Sequence, residues 1–143
     1  MVQDRLDDGV RIGQLLASEI SGNEGRLKPL AVSDADPDVE PTADGALAYT
    51  VRVGGKKTAG EEETADGDGA TRVAEVYVQP DRIRVEFTVA PDAAAEAGSE
   101  EGLRVRPKAV HPPRTLVFVE DGAQVKWVLP VFEAVLAAQG DAA

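Results

Sequence analysis

Cysteine is absent from this chain and histidine occurs once. The first absence excludes disulfides, thiolate zinc sites and thiol catalysis. The second excludes a multi-histidine metal centre within one chain. Aromatic residues make up only 4% of the sequence, which leaves few platforms for stacking nucleic-acid bases. Lysine is scarce too, supplying five of the 15 basic residues. Long apolar runs are missing: no stretch approaches the ~20 residues that a membrane span needs. The opening MVQDRLDDG carries charges where a secretory leader would carry an apolar core. The expectation is a soluble, cytoplasmic protein with no cofactor and no membrane attachment.

Acid is what the chain has in excess. Asp and Glu number 26 against 15 Lys and Arg, for a net charge of −11. The apolar content is carried mainly by Ala and Val. A dense anionic surface that holds water and cations, over a core of small apolar side chains, suits a protein kept in solution by strong salt. The acids are dispersed rather than gathered in blocks, so solvation accounts for them better than attraction to a basic partner does. At 143 residues the chain has the length of one domain, taken as residues 1–143.

Residues 4–21, DRLDDGVRIGQLLASEIS, carry Leu6, Val10, Leu16 and Ile20 near helical period, and Ile12 and Leu15 widen the stripe. Asp4 is the expected N-cap, and Gly22 and Asn23 the stop. Gly9, Gly13 and Ala17 stand four apart and form a smooth groove against which another element packs closely. The segment DRLDDGVRIGQLLASEI resembles the start of small uncharacterised proteins from haloarchaea. The resemblance implies a cytoplasm rich in potassium chloride and carries no activity with it.

Downstream, 27–32 predicts a short strand, and Leu47, Tyr49, Val51 and Val53 alternate as a half-buried one. Residues 54–70, GGKKTAGEEETADGDGA, lack apolar periodicity and predict a mobile acidic loop. Arg72 to Gln79 and Arg82 to Val89 predict a hairpin turning at Pro80-Asp81. PDAAAEAGSEEG predicts a short helix closed near Gly98. Leu103 to Arg106 is a further candidate strand, although 103–114 reads as strand or loop. Thr115 to Glu120 and Ala123 to Leu129 flank Asp121-Gly122 and predict a second hairpin. A last helix is expected from Pro130, burying Val131, Phe132, Val135 and Leu136. This order predicts an α+β fold: a mostly antiparallel sheet of about five or six strands, with N-terminal and C-terminal helices packed on one face.

Chemistry-bearing motifs are weak. Asp34, Asp36 and Asp38 imitate half of a calcium loop, but Val39 and Gly45 stand where glycine and glutamate are required. TADGDGATRVAE (64–75) begins with Thr64 instead of Asp and leads into a strand. GGKKT (54–58) lacks the first glycine of a phosphate loop, since Thr50 occupies its place. His111 has no orienting acid or nucleophile in its sequence context. Ser18, Ser21, Ser33 and Ser99 lie outside any nucleophile elbow. No catalytic and no metal-binding residues are assigned.

One local anomaly of charge remains. LRVRPKAVHPPR (103–114) holds Arg104, Arg106, Lys108 and Arg114 without one acid. Arg52, Arg72, Arg82, Arg84 and Lys126 are also placed on strands. Together they predict a basic sheet surface able to grip an anion, a nucleic acid or an acidic partner, with Arg82, Arg84, Arg104, Arg106, Lys108 and Arg114 as the candidate binding residues. The competing reading is cross-strand pairing with Glu75, Glu86 and Glu120. In strong salt phosphate contacts weaken steeply, which argues against nucleic acid. A strand apolar on both faces, Leu116 to Val119, predicts exposed valines (Val117, Val119 and Val128) available to a second protomer. The function expected is a non-catalytic protein-interaction or self-associating module, a homodimer in its simplest form. Nucleic-acid or anion binding is the alternative.

Overall fold

Alternating apolar and polar residues produce strands here, and apolar residues three and four apart produce helices. The computed structural model describes residues 8–22, 27, 30–36, 38–53, 71–110 and 113–142. In chain order these form α1 (Gly9–Ser21), β1 (Leu30–Ser33), β2 (Ala46–Val53), β3 (Thr71–Gln79), β4 (Arg82–Phe87), α2 (Pro91–Glu100), β5 (Arg104–Lys108), β6 (Arg114–Val119) and α3 (Gly122–Ala142). The strands make one six-stranded sheet in the order β1-β2-β3-β4-β6-β5. Every neighbouring pair is antiparallel. After β4 the chain passes through α2, lays β5 at the margin and returns as β6 between β4 and β5. The fold is α+β, as expected.

All three helices share one face, and the strand register says which. Ile83 stands opposite Val119, Val85 opposite Val117 and Phe87 opposite Thr115. These side chains are buried and point toward the helices. Phe132 of α3 meets Phe87 edge-on, with ring centroids 4.9 Å apart. The Thr115 hydroxyl donates to the Pro91 carbonyl at the start of α2, at 2.7 Å. Tyr49 donates its buried hydroxyl to the Gly13 carbonyl of α1, at 2.7 Å. The core is continuous across these contacts and is dominated by valine.

The small-residue groove of α1 receives the sheet. A Cβ on Gly9 would lie 1.8 Å from the Gln79 carbonyl oxygen, so the first turn of the helix rests directly on the β3–β4 turn. The Gly9 N–H donates to the Pro80 carbonyl at 3.1 Å. Gly13 is looser, since its Cβ would meet Ile83 and Val78 methyls at 3.6 Å. The N-cap is Asp8, whose carboxylate accepts from the Arg11 N–H at 3.3 Å. The expected cap at Asp4 lies outside the described residues.

Several expectations need correction. Asp121-Gly122 does not turn a hairpin, and Ala123 to Leu129 is not a strand. It is the first part of α3. The Asp121 carboxylate accepts from the Gln124 N–H at 3.0 Å, and the Gln124 side chain accepts from the Glu120 N–H at 2.7 Å. Asp121 is thus the N-cap, and Gln124 reaches one residue further back than the third residue of a capping box would, to the N–H that precedes the cap. Val125, Val128, Val131, Phe132 and Val135 then bury one side at helical period. Pro130 is therefore interior to α3 rather than at its start, and Lys126 lies on a helix. Val117 and Val119 are fully buried beneath the helices and Val128 on the inner side of α3, so none is free for a second protomer. It is Leu116 and Phe118 that face the other way, half-buried. Gly98 does not close α2, which runs on to Glu100; its missing side chain admits Val105, whose methyl would be 2.8 Å from a Cβ there. Residues 104–108 form a strand, and Pro107 sits in it at the margin of the sheet, where a missing N–H is tolerated. The strand expected at 27–32 is β1, at Leu30–Ser33. The acidic loop at 54–70, with the first seven residues of the imitation calcium loop that starts at Thr64, and His111 fall outside the described residues; the last five, Thr71 to Glu75, belong to β3.

The two α1 glycines separate close approach from helix propensity. Gly9→Ala is expected to lower stability by about 2 kcal/mol, because α1 must lift from the β3–β4 turn. Gly13→Ala is expected to be neutral or to add up to about 1 kcal/mol, since the new methyl has room and alanine is the better helix former. Denaturant midpoints of the two variants against the parent check both.

Candidate functional site

Among the described residues, helices cover one face of the sheet and none lies on the other, which only the loop before β2 touches, at Ala43 and Asp44. The antiparallel register sorts side chains onto that open face: Leu47, Thr50, Glu75, Tyr77, Arg84, Glu86, Leu116, Phe118, Arg104, Arg106, Lys108 and Arg114. Leu47 stands opposite Tyr77 and Thr50 opposite Glu75. Tyr77 stands opposite Arg84, and Glu75 opposite Glu86. Phe118 lies between Arg84 and Arg104, Leu116 between Glu86 and Arg106, and Arg114 beside Lys108. All the candidate cations are thus on one face. Lys126 is not, since α3 carries it.

The sheet places two carboxylates against each other, which fixes the electrostatics. Glu75 and Glu86 are directly opposed across β3 and β4, and Glu86 is 1% exposed. Like charges so placed repel, and a buried carboxylate without a partner costs several kcal/mol. Three cations supply the compensation. Arg84 reaches Glu86 Oε2 with Nε at 2.8 Å. Arg114 bridges the pair through one nitrogen, at 2.8 Å from Glu86 and 2.9 Å from Glu75. Lys108 closes on Glu86 at 3.4 Å. Arg84 is further held by the Asp44 carbonyl at 2.9 Å and lies over the Tyr77 ring, 4.6 Å from its centroid. Tyr77 donates its hydroxyl to Glu75 at 2.7 Å.

A second cluster forms at the far end of β4. Glu120 takes Arg82 at 2.8 Å and Arg104 at 3.0 Å, and Arg82 also meets Asp81 at 3.1 Å. Arg72 pairs with Glu75 at 3.3 Å. Pairing with Glu75, Glu86 and Glu120 is therefore realised, between strands by Arg82 and Arg114 and within β4 by Arg84. Arg106 differs: it is exposed and has no carboxylate partner among the described residues. Arg104 and Lys108 are engaged on one side only, with side chains 60% and 43% exposed. The basic face thus divides into cations committed to the sheet and a row of accessible ones along β5.

Protonation equilibria follow this geometry. Burial opposes ionisation of Glu75, but the Tyr77 hydrogen bond and the bond to and charge of Arg114 outweigh it and hold the carboxyl below its ordinary value. Burial, then the bond to Glu75, push Tyr77 up to about 12. Burial works against the charge of Arg114, yet its bonds to Glu86 and Glu75 raise its affinity for its proton.

Two of the weaker motifs resolve into local structure. The Asp34 carboxylate pairs with Arg52 at 3.3 Å. Asp36 accepts from the Asp38 N–H at 2.9 Å, which is a turn. Sequence reasoning named the carboxylate partners but missed Tyr77 and the Asp44 carbonyl, whose places depend on the β2–β3–β4 register.

Two outcomes follow from the Glu86 cluster. Glu86→Gln strands three cations around a neutral amide and is expected to destabilise the fold by about 3 kcal/mol in urea unfolding. For pH, the folded value of Glu75 lies below the unfolded one, so its contribution is present above the ordinary value of 4.5 and is lost as pH falls through the depressed folded value. Urea midpoints across that acid range should decline less steeply in Glu75→Gln than in the parent.

The chain belongs to a family of unknown function, DUF7993, whose family model matches residues 1–143. No curated protein and no solved structure matches it.

Proposed function

We propose that this chain is a non-catalytic interaction module that docks a partner protein on the open face of its sheet. The row of accessible cations along β5, next to the half-buried Leu116 and Phe118, is the observation that carries this reading. Apolar centres with a charged surround are the usual anatomy of a protein contact. The face has more cations than carboxylates, because Arg72, Arg82, Arg84, Arg104, Arg106, Lys108 and Arg114 stand against Glu75, Glu86, Glu120 and Asp81. The helix side is the opposite: α2 carries Asp92, Glu96 and Glu100 and no basic residue.

That polarity bears on the choice of partner. A face-to-face homodimer would set cations against cations. A face-to-helix contact between copies would not close and would grow as a filament. A different, negatively charged protein fits better than a second copy. The acidic, lysine-poor composition supports a salt-rich cytoplasm as the setting, as the resemblance to haloarchaeal proteins implies.

Nucleic acid is the second reading, favoured by Phe118 lying between Arg84 and Arg104 on an open antiparallel sheet. It is weaker on two grounds. The face of Tyr77 is already taken by Arg84, which leaves one ring for stacking. Glu75 and Glu86 also lie at the centre of the path that a phosphate backbone would follow.

A photo-crosslinking residue placed at Phe118, in the cells that make this protein, tests the docking reading against a control at Trp127, which is 41% exposed on the helix side. The expected outcome is one discrete protein adduct from Phe118 and none from Trp127. A product of twice 15.0 kDa would replace the proposal with self-association. No adduct from Phe118, or equal adducts from both positions, would remove it.

A further inference from the structure

The geometry points to an extended acidic segment of the partner protein as the occupant of the β5 row, with carboxylates at alternate positions facing Arg104, Arg106 and Lys108; this rests on the docking reading above. The three cations are two residues apart on a strand, so their side chains leave the same face roughly 6.5–7 Å from one another. An extended peptide presents its own alternate side chains at that same interval. Three carboxylates at positions i, i+2 and i+4 of such a segment therefore match the row without strain in either chain, whereas in a helix acids four apart keep an interval of ~6 Å but turn by about 40° at each step, so the third leaves the row.

Charge complementarity is local and real at this place. Residues 103–114 contain no acid. Glu120 engages one side of Arg104, and Glu86 engages Lys108 only at 3.4 Å. Arg106, in the middle of the row, has no carboxylate partner among the described residues, so its full charge is available. Between this row and the Glu86 cluster lie Leu116 and Phe118, the cross-strand neighbours of Arg106 and Arg104. An apolar side chain from the partner would find its contact there.

The segment is held by side chains rather than by strand addition. Pro107 lacks the N–H that an added strand would require from the margin of the sheet. The committed cations, Arg84 and Arg114, take no part, because removing them from Glu86 would leave a buried carboxylate uncompensated.

Three synthetic probes test this with the full-length protein in molar potassium chloride, the setting proposed above: a ten-residue peptide of alternating Glu and Ser, a peptide of the same composition with its acids in one block, and a single-stranded RNA of equal charge. Titration calorimetry is expected to rank the alternating peptide first, with the block peptide several-fold weaker. Arg106→Glu should weaken the alternating peptide by about tenfold, because it replaces an attraction with a repulsion at the centre of the row. Arg106 is exposed and has no carboxylate partner among the described residues, so this variant is expected to keep the fold, which circular dichroism and the urea midpoint check. Equal affinity for both peptides would overturn the inference, because spacing would then be irrelevant. Tighter binding of the RNA, with the same sensitivity to Arg106→Glu, would overturn it in favour of nucleic acid. A discrete adduct from Phe118 with no binding of the alternating peptide at millimolar concentration would reject the acidic segment while the docking face stands. Absence of that adduct would reject the docking reading itself.

Discussion

A carboxylate buried at the centre of the sheet face away from the helices governs the design of this molecule. Glu86 is almost wholly withdrawn from water, although none of the described helices lies over it. Its burial is achieved by the cations that neutralise it. Arg84 lies flat over Tyr77 and is clasped by the Asp44 carbonyl, Arg114 ties Glu86 to Glu75, and Lys108 reaches in from β5. Long cationic side chains cover a sheet with their aliphatic stems while their heads stay hydrated or paired. The ionic lattice thus stands where a second layer of helices would stand in a three-layer fold. It also explains how a protein with little Leu, Ile or Phe keeps an open sheet in water.

The same lattice decides which charges can serve another molecule. A cation that compensates a buried carboxylate is expensive to withdraw, and its loss damages the fold before it touches any partner. On the outermost strand Arg106 has no carboxylate partner among the described residues and Arg104 only the half-buried Glu120, so neither carries that obligation, and Lys108, at 3.4 Å, is the most distant of the three partners of Glu86. Division of labour between Arg84 and Arg114 on one side and Arg104, Arg106 and Lys108 on the other comes from the position of the strands. β6 is internal and next to Glu86, whereas β5 is external. The order β4-β6-β5, produced by the detour through α2, is what makes that separation possible.

Much of this was legible in the sequence, for identifiable reasons. Ile83, Val85 and Phe87 alternate cleanly, so β4 and its outward arginines were placed correctly, as was the β3–β4 turn at Pro80-Asp81. The arginines do share one face of the sheet, and the competing explanation, pairing with carboxylates, holds for Arg82, Arg84 and Arg114. Failure came where two local signals shared one stretch. Asp121-Gly122 is a good hairpin turn and also a good helix start, and the tie is broken only by Gln124 and by the three-and-four spacing of Val125, Val128 and Phe132. That misreading turned Val117, Val119 and Val128 outward, when Val117 and Val119 lie under the helices and Val128 is on the buried side of α3. Strand order was not legible at all. Nothing local says that β6 enters between β4 and β5, and the meeting of Lys108, Arg114 and Glu86 depends on that insertion.

The two margins of the sheet are both poor templates. β1 is four residues long, and β5 carries Pro107 among like charges. Growth of a cross-β fibre requires a strand that can accept an identical neighbour along its whole length, and neither margin can. In a crowded, strongly ionic solution, where repulsion between anionic surfaces is screened to within a few ångströms, charge alone no longer keeps copies apart. The backbone at these outer strands then becomes the remaining safeguard against ordered aggregation.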